Sequence, residues 1–367
     1  MLVDCGSLAH ARRRGDNAGM AGDDSRAQVQ LDEDTLARRR RDLGEDHPDA
    51  LAAASNLAVS LRAAGEYQAA RELDEDTLAR RRRVLGEDHP DTLASADGLA
   101  ISLRAVGGHP GTLTSAMRFA SSFGHPGEHQ AARELGEDTL ARRRRVLGED
   151  HPDTLASAHG LAISLRAAGE HQAARELDED TLARRRGVLG EDHPDTLASA
   201  DNLAVSLLGV RGGQAARELG EDTLARRRRV LGEDHPDTLA SASNLVMTLE
   251  RVSEDQAARE LAEDTLARRR RLLGEDHPDT LAAAFQLVCA LSELGKHHAA
   301  RELNDDIIAR RRRVLGDEHP DTIMAGAFDL ILRGLDLGGE PEWMTALREA
   351  SKRRQQEARE LSEDEPG

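Results

Sequence analysis

The triplet His-Pro-Asp begins at residues 47, 89, 151, 193, 235, 277 and 319. The successive spacings are 42, 62, 42, 42, 42 and 42 residues. Five equal intervals out of six mean a tandem array. Such a chain folds as stacked supersecondary units, each burying its apolar face on its neighbours. The residues around each triplet read as a helix end, a turn and a helix start, as in Arg80-Arg81-Arg82-Arg83-Val84-Leu85-Gly86-Glu87-Asp88-His89-Pro90-Asp91. Arginines in a last turn suit the negative helix pole. Gly86 stands where a left-handed terminal residue is favoured. Pro90 suits the first helical position, where its missing N–H would be unbonded anyway.

Each unit has two helical halves. In Pro48–Ala64, Leu51, Ala54, Leu57, Ala58 and Leu61 form one helical stripe. Gly65 breaks it. A second helix follows over roughly Glu66–Leu85, with Ala69, Ala70, Leu73, Thr77, Leu78, Val84 and Leu85 as its inner side. No alternating stretch suggests a strand. The reading is therefore all-α.

The chain has 367 residues, and only 38% of them are hydrophobic and 2% aromatic, which suits closely packed helices with small contact residues more than one large core. The net charge of −18 is spread over the repeats: Pro48–His89 carries eight acidic against six basic side chains. Acidity built into every unit argues against binding a phosphate backbone. Cys5 and Cys289 cannot make a disulfide framework, so a reducing, cytoplasmic setting is expected. No apolar run approaches membrane-spanning length.

Residues 1–26 match nothing in the repeat and read as a disordered leader. The array spans 27–338, entering on a second helix without its first, which suggests a makeshift cap or a piece of something longer. The long interval contains an extra half-unit at 109–127, whose Leu113, Ala116, Phe119, Ala120 and Phe123 keep the apolar stripe. At Gly209-Val210-Arg211-Gly212-Gly213 a loosened turn is expected. Residues 339–367 form a tail in which Glu342–Leu361 reads as a polar cap helix.

The repeated histidines invite a metal reading. Zinc needs three or four converging ligands, whereas equivalent residues of stacked helix pairs stand about two interaxial distances apart. Capping is the better reading, and nothing calls for a metal or cofactor. The arginine runs read as a solvated, ion-paired face, since four consecutive residues fan around a helix. No Gly-x-Ser-x-Gly turn, phosphate loop or singular carboxylate pair supports an enzyme.

The pairing of helices, with small residues at Ala58 and Ala70 and leucines at Leu57 and Leu61, resembles the tetratricopeptide repeat. The 42-residue period with Leu-Gly-Glu-Asp-His-Pro-Asp-Thr-Leu is similar to the kinesin-light-chain-like variety common in bacteria. The likeness covers roughly Ala27–Leu335. Where that family often has an aromatic residue in the second helix, this chain has Asp74, Gly136, Asp178, Gly220, Ala262 and Asn304. The resemblance implies an α-solenoid, a right-handed superhelix of antiparallel pairs whose first helices line a concave groove. It also implies a non-enzymatic scaffold for a protein or peptide partner. Asn56, Val59, Arg62, Asn202, Asn244, Met247, Phe285, Gln286 and Cys289 are then the candidate groove residues, because first-helix positions vary from unit to unit. A regulatory array acting with a nucleotide-binding switch protein, or a degenerate fragment, would carry the same repeats.

Overall fold

The computed structural model of the chain describes residues 20–107, 126–317 and 319–336. Among these residues there are fourteen helices and no strand. The first helices of the units are α2 (Pro48–Ala63), α4 (Pro90–Gly107), α6 (Pro152–Ala167), α8 (Pro194–Gly209), α10 (Pro236–Arg251), α12 (Pro278–Glu293) and α14 (Pro320–Asp336). The second helices are α1 (Met20–Leu43), α3 (Tyr67–Leu85), α5 (Pro126–Leu147), α7 (His171–Leu189), α9 (Gly213–Leu231), α11 (Asp255–Leu273) and α13 (His297–Leu315). None of the helices is long and apolar enough to cross a membrane, the described residues alone considered.

Every described first helix starts the same way. Histidine precedes it, proline takes the first position, and the Asp49 backbone N–H donates to His47 Nδ1 at 3.1 Å. The same bond recurs at His89, His151, His193, His235, His277 and His319, at 3.1–3.2 Å. The imidazole thus accepts a hydrogen bond from an N–H that the helix cannot satisfy itself. Leucine-glycine ends the preceding helix, with Gly86 at φ 88° and its N–H on Arg82 O at 3.1 Å.

The turn inside a unit is a Schellman motif. Gly65 has φ 83°, and the Glu66 N–H donates to Leu61 O at 2.9 Å. Two units lack the glycine: Arg211 (φ 63°) and Ser253 (φ 61°) occupy the left-handed position instead. The 209–213 junction corrects the expectation of a loosened turn. A Cβ on Gly209 would lie 2.7 Å from the His171 ring, and one on Gly213 2.8 Å from Val252 Cγ1. The glycines there permit close approach.

Helices adjacent in sequence pack as antiparallel neighbours throughout, α4 directly against α5 included. The alternation is therefore kept across the long interval. The extra half-unit at 109–127 and the tail at 339–367 lie almost wholly outside the described residues. First helices also pack on successive first helices, from α2–α4 to α10–α12, which puts them on the inner, closer-spaced side. At the front, α1 begins at Met20, so the last residues of the stretch read as a leader are helical. Val84 is corrected as well: it is exposed.

The core is not uniform. Between Leu224 and Leu332 it forms one continuous apolar cluster. Toward the front it breaks into four small clusters, around Leu57, Leu99, Leu161 and Leu203.

A left-handed non-glycine residue costs about 1–2 kcal/mol. Arg211→Gly and Ser253→Gly are therefore each expected to raise unfolding free energy by about 1 kcal/mol. Urea titration followed by circular dichroism measures this; an unchanged midpoint in both variants would show that the two turns carry no strain.

Candidate partner-binding face and the polar interior

The four-arginine runs are not one solvated face. From α3 onward the first arginine of each run clamps the acidic turn ahead of its own unit: Arg80–Asp46 at 3.1 Å, Arg142–Asp88 at 3.1 Å, Arg226–Asp192 at 3.2 Å and Arg268–Asp234 at 3.0 Å. The neighbouring glutamates Glu87 and Glu233 bind the same guanidinium groups. The fourth arginine grips the same aspartate, as in Arg83–Asp46 and Arg145–Asp88 at 2.7 and 2.8 Å. Hydrogen bonds from Arg142 and Arg145 hold the Asp88 carboxyl below the usual range. At Gly187 the fourth arginine is missing, and Asp150 keeps only Arg184, at 2.9 Å.

From α3 onward the second arginine of each run is buried. Arg81, Arg143, Arg185, Arg227, Arg269 and Arg311 donate to the backbone carbonyls of Asp91, Asp153, Asp195, Asp237, Asp279 and Asp321 at 2.8–3.0 Å. Each guanidinium therefore reaches past its own helix into the first turn of the next unit. Eight residues beyond each unit's histidine, the facing side chain differs. Asp97 takes Arg143 at 2.6 Å, Asp201 takes Arg227 at 2.9 Å, and the Phe285 ring lies 5.4 Å from the Arg311 guanidinium carbon. Burial pushes the Asp201 carboxyl up to about 6 despite Arg227.

A further buried group lies where the resemblance called for an aromatic residue. Arg62 donates to Asp74 Oδ2 at 2.7 Å and to Ser102 Oγ at 2.8 Å, and Ser102 Oγ donates to Asp74 at 2.7 Å. Arg166, Asp178 and Ser206 repeat this at 2.8, 2.8 and 2.6 Å. Three consecutive helices thus meet through one ion pair and one hydroxyl. Burial raises the Asp74 and Asp178 carboxyls even so. The middle unit has Gly136 in place of the aspartate. Arg104 there donates to Ser164 Oγ at 2.8 Å, and burial lowers it to about 10. Farther on, Leu208, Gly220 and Thr248 stand in these places. Sequence reading missed the triad, although the spacing of Arg62–Asp74 and Arg166–Asp178, twelve residues in both, was a visible signal.

The nine candidate groove residues are placed unevenly. Asn56 and Val59 are exposed on α2. Arg62 is committed to its triad. Asn202 is half-buried: its Oδ1 accepts from Arg166 at 3.1 Å, and its Nδ2 lies 2.9 Å from His159 Nδ1. Asn244 is half-buried with its carboxamide making no hydrogen bond among the described residues. Met247, Phe285 and Gln286 are buried. Gln286 Nε2 donates to Ser243 O at 3.0 Å, and Phe285 meets Phe328 edge to face at 5.4 Å. Cys289 is half-buried. Asn202, Asn244 and Gln286 stand at the same place in three consecutive units and are not presented alike, since two of them tie one first helix to the previous one. Ile101 joins Val59 as an exposed aliphatic residue on the next inner helix.

Stacked antiparallel helix pairs with the first helices inside define an α-solenoid. The chain belongs to the tetratricopeptide repeat family: the family's repeat profiles match residues 50–91, 111–187, 196–237, 238–279 and 280–321. Among solved structures, a Podosopora anserina putative kinesin light chain of nearly identical TPR-like repeats is 32% identical, with TM-score 0.49 over 62% of this chain and 97% of that one. BtubC from P. vanneervenii is 18% identical, with TM-score 0.49 over 71% and 94% of the two chains. A Rap protein in complex with competence and sporulation factor is 12% identical, with TM-score 0.52 over 93% and 91%. No curated protein sequence matches the chain. The tetratricopeptide fold is generally a protein–protein interaction scaffold, and such repeat proteins are typically non-catalytic.

Removing one partner of a buried ion pair typically costs about 3–5 kcal/mol, because the other charge is left unpaired. Asp178→Ala should accordingly cost several kcal/mol, about 3 or more. Arg166→Leu combined with Asp178→Gly, the arrangement of the next unit, should cost clearly less than Asp178→Ala alone. Urea unfolding of the three proteins checks this, and a double variant weaker than the single one would refute it.

His159 gives a pH dependence. Burial, then Arg185, Arg166 and Arg104, lower its pKa from 6.5 to about 4. The folded state holds the neutral ring, so stability is full above 6.5 and is lost as pH falls from there toward 4. One pH unit in this window corresponds to about 1.4 kcal/mol. Between pH 7 and pH 5, the parent should lose about 2 kcal/mol more than His159→Gln. Equal losses in parallel urea titrations would contradict it.

Proposed function

We propose that this chain is a non-enzymatic scaffold that holds an extended segment of a partner protein along its inner face, and that it works in a reducing cytoplasm. The observation that carries this reading is the composition of the inner face near α2 and α4. Val59 and Ile101 are 55% and 43% exposed one unit apart, although every leucine of these two helices is buried. Asn56 sits beside Val59 with a carboxamide that makes no hydrogen bond among the described residues. A carboxamide donates and accepts, so it can pair with a peptide backbone whatever the peptide's side chains. Aliphatic residues at one-unit spacing supply apolar contact between such pairs. Asn244 offers a second unbonded amide farther along. Asn202, Met247, Phe285 and Gln286 serve this reading indirectly, by fixing the spacing of the inner helices.

The test is selection of binders from a random peptide library on the immobilised chain, followed by affinity measurement on variants. Asn56→Ala should weaken the selected peptides about fivefold, near 1 kcal/mol for one hydrogen bond. Val59→Asp should weaken them more. Both positions are exposed, so melting temperature should stay nearly unchanged. Peptides that bind both variants as tightly as the parent would place the site elsewhere.

A further inference from the structure

The two ends of the described solenoid are complementary. At the front, α1 is a second helix with no first helix against it among the described residues. At the back, α14 is a first helix with no second helix after it among the described residues. The exposures show what each lacks. Leu51, Leu93, Leu155, Leu197, Leu239 and Leu281 are 2–4% exposed, and Ile323, at the same place on α14, is 58% exposed. The Ala58 position is closed in every earlier unit, and its counterpart Leu330 is 54% exposed. On α1, Leu31 is 59% exposed, while its counterpart Leu73 packs into the core.

The charges match too. In each unit the first and fourth arginines of the second helix, where present, clamp the acidic turn ahead of the first helix. Their counterparts on α1, Arg38 and Arg41, pair with no carboxylate among the described residues. Among the described residues no second helix clamps the acidic turn ahead of α14: the Asp317 side chain is 81% exposed and pairs there only with Arg312, at 3.1 Å. Arg39 shows the same lack. Its side chain is 42% exposed, against 6% for the buried Arg143 and Arg227 in the same place.

We propose that α1 of one copy docks on α14 of a second copy, so that the solenoid continues from molecule to molecule. Leu31 then covers Leu330, as Leu73 packs on α2 beside Leu57 and Leu61, and the turn of α1 at Thr35 and Arg38 covers Ile323, as Thr223 and Arg226 lie against Leu197 within the chain. Arg38 and Arg41 clamp the turn at Asp317. The occupant is a second copy because a second helix packs on a first helix in this way six times inside the chain, and α1 and α14 keep the apolar stripe, the arginine run and the acidic turn of those pairs. One contact of this kind supplies both missing partners, whereas the chain's own 337–367 segment could cover α14 but would leave α1 open. The interface is heterologous, head to tail, and so gives rings or open chains.

Analytical ultracentrifugation of the full chain over a concentration series tests this. The parent should sediment as a series of species that grows with concentration and shrinks with added salt, since the clamps are exposed ion pairs. Arg38→Glu with Arg41→Glu breaks the front and leaves the back intact; Ile323→Asp does the reverse. Each variant alone should be monomeric, with self-association weakened at least tenfold. Mixed, the two should form a dimer and stop there, because each supplies one intact end. That mixing result also shows that both variants are folded. A parent that stays monomeric across the series, or variants that remain monomeric on mixing while retaining helical circular dichroism, would overturn the proposal. So would hydrogen exchange in the parent monomer showing α14 covered by its own 337–367 segment.

Discussion

The arrangement rests on a guanidinium that crosses from one unit to the next. Arg81 belongs to α3, yet its hydrogen bond at 3.0 Å ends on the Asp91 carbonyl in the first turn of α4. That carbonyl and the histidine-capped N–H lie in the same turn. The turn between units is thus held from both sides: His89 Nδ1 accepts from the Asp91 N–H, and Arg81 donates to the Asp91 oxygen. Because the contact is made to backbone, it does not depend on the side chain that follows. The same geometry recurs to Arg311 and Asp321, with lengths differing by only 0.2 Å.

A fixed turn frees the interior to vary. The front units join their helices through Arg62–Asp74–Ser102 and Arg166–Asp178–Ser206, whereas the rear units join theirs through Val246, Val288 and Phe285. Burying an ion pair costs desolvation that its Coulomb attraction only partly returns, and an apolar replacement of similar volume is often as stable or more so. The rear of the array therefore holds the continuous core, and the front gains directionality from its ion pairs. Local opening tracks the amount of buried apolar contact, so the front units are the ones that yield first.

The fold was legible in the sequence because turn and period repeat together. One motif, read once, placed the starts of all the first helices, and the Leu-Gly pair placed the ends of the second helices. What the sequence concealed was orientation within a helix. Four arginines in a row look alike in one dimension, although Arg81 is buried and Arg83 lies at the surface. Val84 follows an apolar pattern and still ends in solvent. Asn202 and Asn244 occupy equivalent places, but only Asn202 meets Arg166, because the corresponding position ahead of Asn244 is Leu208. Whether an amide faces outward thus depends on a residue thirty-six positions earlier, and no single helix reports it.

That dependence ties the inner face to the interior. On α2 no first helix precedes Asn56 among the described residues, so its amide is unclaimed. On α8 the preceding Arg166 claims Asn202, and on α12 Ser243 claims Gln286 through its carbonyl. The same residue type is therefore left open in one unit and serves as a spacer in another. Variation along the inner helices follows from which neighbour each amide meets, and an amide becomes available for recognition where the unit before it offers no donor or acceptor within reach.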